Sequence, residues 1–194
     1  MDVKKLYDDY EAYIIEMRRW FHRHPELSLK EQNTSRKIQE ELRGMGIPFE
    51  VLAPNCGVAA TIKGGKEGKT IALRADIDAL PVKEETGLEF ASENEGAMHA
   101  CGHDAHIAMM LGAAKVLNEV KEELAGTVIC VFQGAEETGF GYKEVLDYFD
   151  SIGGVDSVIG LHIWSTLPEG EILLIPNSVF AGGVGYCLLY TSPS

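Results

Sequence analysis

Thr127-Val128-Ile129-Cys130-Val131-Phe132 runs directly into Gln133-Gly134-Ala135-Glu136-Glu137. An apolar run without alternation fits a strand covered on both faces, as the strands of parallel sheets are. Two other short runs share the layout. Thr70 to Arg74 is followed by Asp76-Ile77-Asp78, and Ser157-Val158-Ile159-Gly160-Leu161 by His162. In open α/β sheets the ligand crevice lies beyond the carboxyl ends of the strands. Strand ends carrying acids or imidazole therefore predict one shared site assembled from distant parts of the chain.

Working outward, Leu6, Tyr10, Tyr13, Ile14, Met17, Trp20 and Phe21 recur at helical spacing from Val3 to about Arg23. His24-Pro25 closes that helix, because proline disfavours helix in the residue before it. A second amphipathic helix is expected from Lys30 to Met45, stopped near Gly46 and Pro48. Gly57 to Ile62 reads as a strand, and Gly64-Gly65-Lys66-Glu67-Gly68 as a tight turn to the next one. A polar loop from Glu84 to Gly96 precedes a long helix over Ala105 to Leu124, and a short helix covers Lys143 to Phe149. Strands alternating with helices indicate an α/β layered domain.

Of the 194 residues, 45% are hydrophobic and 24% charged, a balance that supports a packed core and excludes wholesale disorder. The net charge of -13, without a basic stripe, argues against a nucleic-acid partner. The sequence has no apolar run of membrane-spanning length, and Met1-Asp2-Val3-Lys4-Lys5 leads into an acidic stretch unlike a secretory leader. Cys56, Cys101, Cys130 and Cys187 read as free thiols of a reducing cytoplasm.

Met98-His99-Ala100-Cys101-Gly102-His103-Asp104-Ala105-His106 opens the long helix. Thiolate, imidazole and carboxylate together suit a divalent ion. Gly102 permits a fold tight enough for Cys101 and His103 to face one centre. Asp104 is expected to cap the helix, and His106, three residues after His103, to share its face. Each element also has a plain structural reading. A lone cysteine is usually a small buried hydrophobe, Glu136-Glu137 alone a solvated helix start, and Asp76 and Asp78 turn residues before Pro81. His22 and His24 read as structural. Proximity of several donor types in one segment favours the ion.

Five motifs then recur together, in order: Trp20-Phe21-His22-Arg23-His24-Pro25-Glu26-Leu27-Ser28, Leu73-Arg74-Ala75-Asp76-Ile77-Asp78-Ala79-Leu80-Pro81, the Met98 to His106 segment, Phe132-Gln133 before Ala135-Glu136-Glu137, and Gly160-Leu161-His162. With them the chain, from Tyr10 to about Ala181, resembles the amidohydrolase branch of the aminoacylase and carboxypeptidase superfamily. That branch holds hippurate hydrolases, N-acyl-amino-acid deacylases, N-acetyldiaminopimelate deacetylase and plant auxin-conjugate hydrolases.

The resemblance implies a three-layer α/β fold, a sheet with helices on both faces of the zinc-exopeptidase kind. It implies metal-dependent hydrolysis of the amide bond of small N-acyl amino acids with two divalent ions, Mn2+ or Zn2+, and Ni2+ or Co2+ as substitutes. Cys101, as the bridging ligand, His103, Glu137 and His162 match metal ligands, Glu136 the general base, and Asp78 an acid supporting the site. Gly134 stands where the family usually has proline, which should loosen that turn. Family members are about twice this length and add a lid domain and one more histidine ligand. Residues 1–180 are accordingly expected to be the N-terminal part of a catalytic domain, and 181–194 the start of the lid. The stretch 187–194 departs from the pattern and reads as unrelated coding. The fragment alone is expected to be inactive and aggregation-prone, while the full-length protein is free to form a homo-oligomer. A dipeptidase of the same superfamily, a non-catalytic metal-binding protein and a metal-free thiol enzyme using Cys101 stay open beside this reading.

Overall fold

The computed structural model describes residues 3–54 and 56–174. Cys187 and the expected boundaries at 181 and 187 lie outside them. The chain divides into two units, Met1–Ile163 and Trp164–Ser194. The described part of the second unit consists of turns, one closed by Leu167 N–H donating to the Trp164 carbonyl.

In the first unit, α1 (Val3–Arg23) buries Met17 and Phe21, and ends where His24 N–H reaches back to the Phe21 carbonyl. Helix α2 (Gln32–Gly44) is shorter than the periodicity predicted. Glu31 stands at its N-cap, its carbonyl accepting the Ser35 amide at 2.8 Å and its carboxylate the Ala135 amide at 2.7 Å. At the other end Gly46, at φ 68, takes the left-handed turn that lets Ile47 N–H reach the Leu42 carbonyl.

The strands are β1 (Phe49–Leu52), β2 (Gly57–Lys63), β3 (Lys66–Asp76), β4 (Ala125–Gln133) and β5 (Ser157–Gly160). They form one sheet in the order β1-β2-β4-β3-β5. Strand β4 runs parallel to β3 and antiparallel to β2, while β5 is parallel to β3. The apolar run Thr127 to Phe132 is thus at the centre of a mixed sheet. The tight turn expected between β2 and β3 does not join neighbouring strands, because β4 inserts between them. The glycines serve close approach instead. A Cβ on Gly64 would stand 2.5 Å from the Leu124 carbonyl oxygen, and one on Gly65 2.6 Å from that of Glu122.

Helix α3 (His103–Glu119) starts earlier than expected and gives way to a 3-10 turn at Lys121–Glu123. Alternation along the strands sorts side chains onto two faces. Val58, Ala60, Ile62, Cys130 and Phe132 pack with Phe21, Ile38, Leu42, Ile107 and Leu111 of α1, α2 and α3. Ala59, Ala72, Ile129 and Val131 pack with Val145, Tyr148 and Phe149 of α4 (Tyr142–Ser151) on the other. Each fully buried Phe or Leu contributes roughly 1.5–3 kcal/mol. The result is a three-layer α/β arrangement, helices on both faces of the sheet. Among the described residues no helix is long and apolar enough to cross a membrane.

Candidate functional site

Strands β4, β3 and β5 lie side by side and point the same way, so Gln133 pairs with Asp76 and Gly160 with Arg74 at one rim. The turn after β4, the Leu161-His162-Ile163 segment after β5 and the start of α3 all open onto that rim. The approach to α3 is pinned by reciprocal backbone bonds between Leu80 and Met98. Gly102, at φ 88, occupies a conformation that costs other residues about 1–2 kcal/mol. It swings the chain from Cys101 into the first helical residue, His103.

His103 is fully buried. Its Nδ1 is 2.9 Å from the Asp78 carbonyl oxygen. A carbonyl only accepts, so Nδ1 carries the proton and Nε2 presents a lone pair. That Nε2 has no hydrogen-bond partner and faces Asp76 at 3.5 Å, Glu137 at 3.7 Å and Glu136 at 3.9 Å. Burial alone would lower the His103 pKa; the Asp78 carboxylate, 3.3 Å from Nδ1, and the charges of Asp76, Asp78 and Glu137 outweigh it and raise it. The imidazole sits where positive charge is demanded. Glu137 Oε1 is likewise buried without a partner, and burial, with Glu136 beside it, raises its pKa.

Cys101 Sγ lies 3.4 Å from His162 Nε2. Burial first, then the charge of Glu137, pushes the thiol up to about 12. His162 Nδ1 is 2.6 Å from the Ile163 carbonyl, which leaves the Nε2 lone pair toward the sulfur. Asp78 is buried, and its Oδ2 accepts from Ser28 Oγ at 2.6 Å and from the Glu137 amide at 2.9 Å. Burial would raise its pKa, but these bonds and His103 hold it below the usual carboxylate range.

Glu136 and Glu137 stand on a turn, where adjacent side chains need not point to opposite sides as in a strand, and both face His103. Ala135, just before them, is held at φ 52. Glu31 anchors its amide, and Phe140 N–H donates to its carbonyl at 3.1 Å, so the turn expected to be loose at Gly134 is tied on both sides.

These donors form overlapping groups with ligand atoms within 4.8 Å of one another: Cys101, His103 and His162; His103, Glu136 and Glu137; Asp76, His103 and His106. Ligands of one tetrahedral ion stand about 3.3–3.8 Å apart, which the first two groups approach. The third does not fit, because Asp76 and His106 already bond each other at 2.5 Å. Two buried, partnerless donor atoms among crowded carboxylates and a thiol make a fit for divalent cations.

Every site residue picked out by sequence therefore comes to this rim. His99 flanks the motif but joins none of the groups, and Asp104 caps nothing. Asp104 is buried as the second residue of α3 and accepts from Arg18 and His22, the latter at 2.8 Å. His22, read as structural, also meets Glu84 at 3.0 Å, and His24 reaches the Trp20 carbonyl. Sequence reasoning missed Glu31, Arg74 and the pairing of Asp76 with His106. Glu31 and Ala135, Arg74 and Gln133, and Asp76 and His106 are far apart along the chain, and only the sheet register and the packing of helices and turns on the sheet bring them together.

Comparison with known proteins gives the arrangement a context. The chain is 41% identical over 181 residues to an N-acyl-L-amino acid amidohydrolase of Geobacillus stearothermophilus, covering 93% of this chain and 49% of the relative. It is 48% identical over 174 residues to thermostable carboxypeptidase 1 of Saccharolobus solfataricus, covering 87% and 44%. The chain thus spans about half the length of the curated relatives it matches. A Bacillus subtilis dinuclear metal-binding peptidase of the M20 family superposes with TM-score 0.78 at 44% identity, over 83% of this chain and 45% of that one. Residues 72–177, more than half of the 194, match peptidase family M20/M25/M40 and include Asp76, Asp78, Cys101, His103, His106, Glu136, Glu137 and His162. The chain belongs to peptidase family M20/M25/M40.

Proposed function

We infer that the chain supplies most of the active site of a two-metal amidohydrolase acting on N-acyl amino acids. Cys101, His103, Glu137 and His162 would hold the cations, and Asp78 orients His103 and the Glu137 amide. The mixed sulfur, nitrogen and oxygen donors suit Zn2+ or Mn2+, with Ni2+ or Co2+ as substitutes. When bound, such ions lower the pKa of water and polarise a carbonyl. Glu136 takes the proton of the attacking water and passes it to the departing amine nitrogen, the two-way role of a positioned carboxylate. The observation that carries this reading is the buried His103 Nε2, partnerless and faced by three carboxylates.

The substrate class follows the relatives named N-acyl-L-amino acid amidohydrolase and, at 46% identity, N-acetylcysteine deacetylase. The Saccharolobus carboxypeptidases favour a second reading, cleavage of free peptides. The free thiols of Cys56, Cys101 and Cys130 suit a reducing cytoplasm. A full-length relative, about twice the length matched here, is the positive control. Metal content, hydrolysis of N-acetyl and N-benzoyl amino acids, and hydrolysis of dipeptides are measured for both proteins. Stoichiometric metal with a trace of deacylation here, and chelator-sensitive deacylation in the control, support the reading. Activity that survives chelation would assign the chemistry to the Cys101 thiol.

A further inference from the structure

Beside the proposed cation ligands lie two polar side chains that hold no cation in that reading. Asp76 and His106 are 1% and 3% exposed. His106 Nε2 stands 3.0 Å from the Ile163 amide, which donates to it. An amide N–H cannot accept, so Nε2 is unprotonated and the ring proton is on Nδ1. Nδ1–H then donates to Asp76 Oδ1 at 2.5 Å. The other Asp76 oxygen accepts from Arg74 Nη1 at 2.7 Å, and Arg74 Nε donates to Gln133 Oε1 at 3.1 Å. The relay begins at the end of β4, crosses the end of β3, enters α3 and stops on the backbone immediately after His162. With both ring nitrogens engaged, His106 has no lone pair left for a cation.

We propose that Asp76 and His106 are positioning residues: the carboxylate fixes the imidazole in one tautomer, and the imidazole pins the Ile163 amide so that His162 Nε2 stays opposite Cys101 Sγ. Strand β5 ends at Gly160, two residues before His162. Sheet pairing therefore stops short of the imidazole, and the His106 bond restrains the backbone next to it. The inference rests on the reading of Cys101, His103 and His162 as a cation-holding group. Partners of this kind behind metal ligands are worth about 10- to 100-fold in affinity.

The test uses the 194-residue chain, cobalt(II) alone as probe, and two readouts. The sulfur-to-cobalt charge-transfer band reports binding at Cys101, and hydrogen exchange of the Ile163 amide reports the clamp without metal. His106→Asn keeps a donor near Asp76 but has no acceptor within reach of Ile163. It should speed Ile163 exchange and weaken cobalt binding about 10- to 100-fold. His106→Gln, whose amide oxygen replaces the Nε2 acceptor, should restore both. His162→Ala should weaken cobalt to a similar degree, and His106→Asn added to it should cost nothing more, since the two act through one contact. Additive losses, or Ile163 exchange unchanged in His106→Asn, overturn the proposal. No cobalt binding by the unaltered chain defeats the cation-site reading, and the exchange comparison still decides the clamp.

Discussion

At the residue scale the account turns on His103 and the acids facing it. Glu136 is assigned the proton and not the cation, so Glu136→Gln should leave metal affinity within about threefold while lowering hydrolysis by roughly 10²–10⁴-fold. Equilibrium dialysis alongside rate measurement, in this chain and at the equivalent position of a full-length relative, separates the two effects. Loss of metal together with rate would make Glu136 a ligand. The thiol gives a second expectation. With its pKa pushed up to about 12, Cys101 is protonated at neutral pH, so cation binding to the thiolate must release a proton. Affinity should therefore climb as pH rises, and calorimetry in buffers of different ionisation enthalpy should register that proton. Cys101→Ser should abolish most of the release.

At the scale of elements, the loop into α3 depends on one left-handed residue. Gly102→Ala should destabilise the protein by about 1–2 kcal/mol, the cost of a Cβ at positive φ, read as a lowered urea midpoint, and should weaken metal binding by turning Cys101 away from His103. The tie between α1 and α3 makes a pH prediction. The hydrogen bond to Asp104, with further help from Glu84, raises the His22 pKa above its ordinary 6.5 against the opposing effect of burial. A raised folded-state pKa stabilises fully below the unfolded value and is lost as pH rises through the folded one. Asp104 and Glu84 are both depressed despite burial, so their stabilisation holds above the usual carboxylate range and fails as pH falls. The melting temperature should peak in the mildly acidic range, between those windows. His22→Gln should flatten the alkaline limb; an unchanged limb would show that His22 does not cause it.

The same elements show what a sequence can and cannot reveal. The strands around the site were legible because apolar runs end abruptly in Asp76, Gln133 and His162, although of these β4 is largely buried and β5 is exposed throughout. Strand β1 was not, since Glu50 and Val51 in its middle are exposed and it carries no apolar run. Strand neighbours were misjudged at Gly64–Gly68 because spacing encodes a reversal but not the strand that later fills the gap. Asp104 has the composition of a cap, yet its carboxylate is committed to His22 on another helix. His106 and Asp76, thirty residues apart, become partners only through the placement of α3 over β3.

For the whole molecule, sheet edge and site are linked, because His162 follows two residues after β5, which is an edge strand among the described residues. Among the described residues β5 pairs only with β3, and Val158 and Ile159, on opposite faces, are each about half exposed. An open apolar edge recruits other strands. Concentration-dependent self-association is therefore expected by light scattering, and Val158→Lys or Ile159→Lys should reduce it without changing metal affinity, since neither side chain belongs to the donor groups. Self-association untouched by both substitutions would place the contact elsewhere.

The central claim is that separate loops at one rim of the sheet hold cations around His103. The most direct measurement is anomalous diffraction from crystals of the chain soaked in Zn2+ or Mn2+. The account predicts density about 2.0–2.3 Å from His103 Nε2, with Cys101 Sγ or Glu137 at similar distance, lost in His103→Ala. Anomalous peaks confined to surface acids, with His103 Nε2 still facing bare carboxylates, would contradict it.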